Sequence, residues 1–179
     1  MTTAPNQSDR TTRVLGPGFA EGLDALSTQD IRRRRDEAVA ERDYQSYLRR
    51  LIQTRQDYLR AEHARREQGA EAPPLVERLT AVLSAGPRGG SRGEALRVQL
   101  PEEDIADAEV RVRQLVGDLQ VDDPASLTDE DLDRLLASLG EAERSVSADR
   151  TAVFRVHDAL QEELKRRYRD DPAEIPSRV

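Results

Sequence analysis

From Thr28 to Gln68 the chain contains neither proline nor glycine. A stretch of roughly forty residues with nothing to break it predicts one continuous helix about 60 Å long, at 1.5 Å of rise per residue. Ser27 with Asp30 three positions on forms an acidic variant of a capping box, a helix start. The same grammar returns further along the chain. Thr128 and Asp131 cap a second long helix that runs to about Arg169, with Gly140 as its one weak point, about 1 kcal/mol worse than alanine. Hydrophobic residues make up 36% of the chain, aromatics 3% and charged residues 35%. That is too little large apolar side chain for a thick core but suits long helices that bury narrow stripes. The predicted fold is all-α: an antiparallel, coiled-coil-like pair of long helices, with short connecting helices and a disordered N-terminal tail.

The remaining segments sort around that pair. Residues 1–18 are polar and carry Pro5, Gly16, Pro17 and Gly18, which predicts a disordered tail. A single helical domain spans 19–171. Gly69 and Pro73-Pro74 end the first long helix. Leu75, Leu79, Val82 and Leu83 mark a short amphipathic helix that stops at Gly86, and residues 86–95 read as a flexible linker. "LRVQLPEED" (Leu96–Asp104) holds a short extended segment, and Pro101 with the acids after it opens a helix ending near Leu119. "VDDPAS" is a turn, and residues 172–179 form a closing tail.

Charge and side-chain chemistry narrow the function classes. The net charge is −7 and the pI about 5.0. The cationic runs "IRRRR" (Ile31–Arg35) and "KRRYR" (Lys165–Arg169) are interleaved with acids, as on solvated helix faces. Non-specific DNA binding needs clustered cations, so direct DNA binding is not expected, and an acidic chain better suits a basic protein partner. Cysteine is absent, which removes disulfides and thiolate metal sites. No apolar run approaches eighteen residues and no signal peptide stands at the start, so no membrane association and a cytoplasmic location are expected. His63 and His157 are the only histidines, and neither has Ser–His–acid or metal-site spacing around it. "GPRGGSRG" lacks the Lys-Ser/Thr ending of a P-loop. The expectation is a non-enzyme with no metal.

The long helices are copies of each other. A gapless shift of 101 residues sets Leu26 on Leu127, Ser27 on Thr128, Asp30 on Asp131 and Ile31 on Leu132. It also sets Ile52 on Val153, Leu59 on Leu160 and Glu62 on Glu163. A polar stripe keeps the same register: Ser46, Arg49, Gln53 and Asp57 in the first copy, with Glu143, Ser147, Arg150 and Asp158 in the second. At 100° per residue the stripe opposes Tyr44, Leu48, Leu51, Ile52, Tyr58 and Leu59. This predicts a polar surface about 20 Å long, separate from the apolar seam. A solvated face would account for either stripe alone. Serine is a mediocre helix former, so its recurrence in register favours a specific role.

The spacing Glu-x3-Ser-x2-Arg-x3-Gln-x3-Asp resembles the ligand signature of the RsiG-like anti-sigma factors of actinobacteria. Its usual setting, "SYLRRL", stands here as Ser46–Leu51. "LDALS", "GPR", Arg97-x-Val98 with Leu100-Pro101, and "RRYRD" (Arg166–Asp170) are also similar to that family, from about Val14 to Asp171. The resemblance implies an anti-sigma factor that holds a WhiG-type sigma factor, which drives late sporulation genes, when cyclic di-GMP is bound, as a dimer, to the two motif helices. Carried over by position, the ligand residues are Ser46, Arg49, Gln53, Asp57, Glu143, Ser147, Arg150 and Asp158. Arg42 stands where the first Glu belongs and Phe154 where the second Gln belongs.

Guanine chemistry suits this set. A carboxylate accepts from guanine N1–H and N2–H, and arginine meets O6 and N7, grips a phosphate or stacks on the base. Serine and glutamine bond phosphates or base edges. Arg42 offers a further phosphate contact and Phe154 a stacking surface. To share one ligand the helices must meet along a flank, which would leave apolar surface with the tyrosines for the sigma factor. The alternative is a ligand-independent coiled-coil adaptor with the same frame.

Overall fold

The computed structural model describes residues 7–68, 100–117 and 123–174. The predicted short helix with Leu75, Leu79, Val82 and Leu83, and the linker 86–95, lie outside these residues. Four helices carry the described structure: α1 (Gln7–Leu15), α2 (Thr28–Gln68), α3 (Glu102–Val116) and α4 (Asp129–Asp170). No strand occurs among the described residues, and no helix among them is long and apolar enough to cross a membrane.

Both long helices start as their sequences predict. The Asp30 amide donates to Ser27 Oγ at 3.1 Å and Ser27 Oγ to the Asp30 carboxylate at 2.6 Å. In the second copy the Asp131 amide donates to Thr128 Oγ1 at 3.1 Å and Thr128 Oγ1 to the Asp131 carboxylate at 2.8 Å. Each cap satisfies an amide that the first turn leaves open, and each carboxylate sits at the positive end of the helix dipole.

α2 and α4 pack antiparallel along two apolar clusters. Ile31 and Ala38 near the start of α2 meet Val153, Leu160 and Leu164 of α4. Tyr44, Leu48, Ile52 and Leu59 meet Leu132, Leu135, Leu139 and Val146. Ile31, Ile52, Leu59, Leu132, Leu139, Leu160 and Leu164 are fully buried; each contributes about 1.5–3 kcal/mol relative to exposure. Ala108 and Val112 of α3 extend the second cluster, so the pair is backed by a third helix.

The 101-residue shift also relates a pair of clasps that close the two ends. A short 3-10 turn, Leu23–Ala25, precedes α2, and another, Pro124–Ser126, precedes α4. Arg167, near the end of α4, donates to the carbonyls of Leu23 at 2.7 Å and Leu26 at 2.8 Å. Its equivalent Arg66 donates to the carbonyls of Pro124 at 2.9 Å and Leu127 at 2.8 Å. The last turn of each helix thereby holds the turn that launches the other. Arg167 Nε is fixed by Glu163 at 2.7 Å and Arg66 Nε by Glu62 at 2.8 Å.

Hydrogen bonds from Arg65 and then Arg66 hold the Glu62 carboxyl down to about 2, and those from Arg166 and then Arg167 do the same for Glu163. A carboxylate depressed by folding stabilises above its unfolded value of about 4.5 and loses that contribution as pH falls toward 2. The helix pair is therefore expected to weaken between about pH 4.5 and 2, by on the order of 1–3 kcal/mol per glutamate. Urea unfolding followed by circular dichroism at several pH values checks this. The Glu62→Gln/Glu163→Gln variant should flatten that limb, and an unchanged limb would show that other groups carry it.

Two expectations are corrected. The predicted tail 1–18 is ordered from residue 7: α1 buries Val14 completely, and Phe19 after it joins the α2–α4 core. A nine-residue helix is too short to persist alone, so tertiary contacts hold it. Arg10 supplies the firmest, pairing with Glu41 at 2.7 Å and Asp104 at 3.1 Å, both buried. The sequence hid this because two apolar residues and one arginine leave no periodic signal. α3 covers Tyr44, part of the apolar face expected to stay open, while Tyr47 and Tyr58 are half-buried. Tyr44 is fully buried, donates from its hydroxyl to Asp107 and accepts from Arg111 at 3.1 Å. Burial and then the Asp107 contact raise its phenol pKa. Among the described residues Val110 is the one large apolar side chain that stands exposed.

Candidate functional site: the polar rim of the helix pair

Tyr44 and Ser46 are two positions apart, 200° around the helix, so the face under α3 and the polar stripe lie on opposite sides of α2. The stripes of α2 and α4 meet each other along that other side. This corrects the expectation of a surface separate from the seam: the stripe is the seam's polar rim. The reason is the antiparallel register, which places each stripe on the edge of the contact shared by both helices.

The contacts come in twins related by the shift of 101. Arg49 Nε of α2 donates to Ser147 Oγ of α4 at 2.8 Å, and Arg150 Nε of α4 donates to Ser46 Oγ of α2 at 3.0 Å. Each serine is thus the acceptor for the other copy's arginine, which explains its recurrence in a helix interior. Ser46 also donates to the Arg42 carbonyl one turn back at 2.8 Å, which fixes its rotamer.

Beyond these twins the two ends differ. At one end Glu143 Oε1 accepts from Arg49 Nε at 2.7 Å, from Ser147 Oγ at 3.0 Å and from Gln53 Nε2 at 3.3 Å. Burial pushes the Glu143 carboxyl up, but the bonds from Arg49 and Ser147 outweigh it and hold the group below its ordinary value. At the other end Arg42 and Phe154 occupy the equivalent positions. The Arg150 guanidinium lies 4.8 Å from the Phe154 ring centre and that of Arg42 5.8 Å from it, both cation–π distances. Phe154 is half-buried beneath these cations, not exposed as a lone aromatic on a polar stripe would be. Arg42 also pairs with its neighbour Asp43 at 2.9 Å.

Eight of the ten candidate residues come together: Arg42, Ser46, Arg49, Gln53, Glu143, Ser147, Arg150 and Phe154. Asp57 and Asp158 do not join the network. Asp57 is exposed and lies 3.2 Å from Arg60, and Asp158 is exposed and lies 3.1 Å from His157 Nδ1. They sit one turn beyond the rim contacts at opposite ends, with carboxylates open to solvent. The cross-pairing was missed in the sequence, although the shift of 101 combined with antiparallel packing carries it. Among the described residues no group of three or more His, Cys, Asp or Glu is arranged to hold a metal ion.

The rim therefore offers guanidiniums, two hydroxyls, an amide, one carboxylate and one aromatic ring in a half-buried line with approximate two-fold symmetry. Residues 17–83 of the chain match the RsiG-like family. The match covers α2 with its polar stripe and ends before α4 begins. No curated protein matches the chain.

Proposed function

We propose that this chain, RsiG-like over residues 17–83, is an anti-sigma factor that captures a WhiG-type sigma factor when its polar rim holds cyclic di-GMP, restraining late developmental transcription. The family match supports the anti-sigma role and a regulatory rather than enzymatic activity. The observation that carries the ligand reading is the exchange of partners between Arg49–Ser147 and Arg150–Ser46. Cyclic di-GMP has two guanines and two phosphates related by a two-fold axis. A rim in which one helix's arginine lies on the other helix's serine, twice, presents the same donors in the same symmetry.

Binding at this rim exchanges internal contacts for external ones. When Arg49 turns to a phosphate or to guanine O6 and N7, Glu143 is released to accept from guanine N1–H and N2–H. Asp57 and Asp158 are already open to solvent and can take guanine edges at the outer ends. The acidic chain, at −7, suits a basic sigma surface.

Co-purification with a WhiG-type sigma factor, with and without cyclic di-GMP, tests the proposal. Capture should need the nucleotide; equal capture without it would make the chain a ligand-independent adaptor. Asp57→Ala and Asp158→Ala should each weaken nucleotide binding about tenfold, since each removes a charged acceptor worth about 1.5 kcal/mol. Circular dichroism should not change, because both side chains are exposed. A loss of helicity would make these residues structural.

A further inference from the structure

Arg42 and Phe154 are the two places where the repeat breaks its own pattern, and the fold sets them against each other. Under the shift of 101, Arg42 is the twin of Glu143 and Phe154 the twin of Gln53. Glu143 and Gln53 are hydrogen-bonded across the rim, and Arg42 and Phe154 are in cation–π contact across it. The two departures are thus one exchanged pair. A carboxylate–amide contact at one end is replaced by a guanidinium–ring contact at the other.

This makes the two ends electrostatically unequal. At the Glu143 end a carboxylate neutralises Arg49. At the Arg42 end that carboxylate is replaced by a second cation, and among the described residues Arg150 makes no ion pair: its Nε goes to Ser46 and its plane to Phe154. Filling the Glu143 end requires breaking the Arg49–Glu143 pair across the helices. Filling the Arg42 end breaks no ion pair between the helices: it displaces the contact between the consecutive, partly solvated residues Arg42 and Asp43 and shifts the two guanidiniums off the Phe154 ring.

We propose that the Arg42–Arg150–Phe154 end is a cation–aromatic half-site that takes a phosphorylated purine first and more tightly, with the base on Phe154 and the phosphate between the two guanidiniums. The Glu143 end fills second. This rests on the reading of the rim as a nucleotide site, and it adds the order and inequality of the two halves. Base–aromatic stacking is sequence-tolerant and adds to phosphate contacts, so this half-site also accepts a mononucleotide on its own.

The test is calorimetry on the full chain with cyclic di-GMP and, separately, with guanosine monophosphate. Wild type should bind cyclic di-GMP in two unequal steps and guanosine monophosphate in one. Phe154→Leu, which keeps an apolar side chain at the rim, should weaken the tight step and the mononucleotide step at least about tenfold. Glu143→Gln should weaken the second step more than the tight step or the mononucleotide step. Arg42→Glu/Phe154→Gln, which restores the repeat, should give two steps of similar affinity and abolish mononucleotide binding. The proposal is overturned if Phe154→Leu leaves the tight step unmoved, or if the restored variant keeps unequal steps. If cyclic di-GMP fails to bind while guanosine monophosphate binds in a Phe154-dependent way, the cyclic di-GMP reading falls and the half-site stands. If neither nucleotide binds, both fall.

Discussion

Arg167→Ala should lower the stability of the helix pair by about 3 kcal/mol, and Arg66→Ala by a similar amount. Arg167 is largely buried and serves four acceptors: the carbonyls of Leu23 and Leu26, Thr28 Oγ1 at 3.1 Å and the Glu163 carboxylate. Truncation strands the Leu26 carbonyl and removes the second donor from the Leu23 carbonyl, which keeps the Leu26 amide at 3.1 Å within the turn that launches α2. Glu163 keeps Arg166 at 2.7 Å, so the carboxylate is not left alone, and this limits the loss. Lysine should recover only a minor part, because one ammonium cannot span two carbonyls and a carboxylate as a planar fork does. Urea unfolding of wild type, Arg167→Ala and Arg167→Lys reads this directly. A loss under about 0.5 kcal/mol would reduce the clasp to an ordinary surface pair.

Arg49→Lys and Arg150→Lys should each cost ten- to a hundredfold in cyclic di-GMP affinity while changing stability little. The expected loss corresponds to about 1.4–2.8 kcal/mol, the removal of one bidentate contact to a base edge or phosphate. Both guanidiniums act in the rim through Nε, at 2.8 Å and 3.0 Å from the serines, which leaves their terminal nitrogens to meet a ligand. Lysine keeps the charge but has no Nε and no plane, so it cannot hold the serine and fork a phosphate together. Unfolding should shift little because the apolar seam beside the rim is untouched. Isothermal titration decides it. Full retention of affinity by both variants would make the rim a generic positive line.

Much of the fold was written in periodicity. The proline-free and glycine-free run, the two capping boxes and the 101-residue shift located α2 and α4 to within a residue or two, because long helices rest on many weak signals that add. The order of α1 was not legible. It depends on Val14 and Phe19 joining apolar residues of both long helices and on Arg10 finding partners 31 and 94 residues away, and such contacts leave no local pattern. The cover over Tyr44 was hidden for the same reason: α3 is amphipathic, but nothing in its spacing says which face of the pair it joins. At the candidate site the residues were legible and their pairing was not. A helical wheel places Ser46 and Arg49 on one face but carries no information about the register of the partner helix. That register turns two stripes into one rim, and it sets Arg42 against Phe154.

If cyclic di-GMP on the rim governs sigma capture, as proposed, the affinity of the chain for a WhiG-type sigma factor must depend on cyclic di-GMP concentration, and differently in wild type and in Arg49→Lys/Arg150→Lys. Wild type should gain sigma affinity with nucleotide and saturate, and the double variant should need at least about a hundredfold more nucleotide. Sigma affinity that is the same with and without nucleotide, in both proteins, would contradict it.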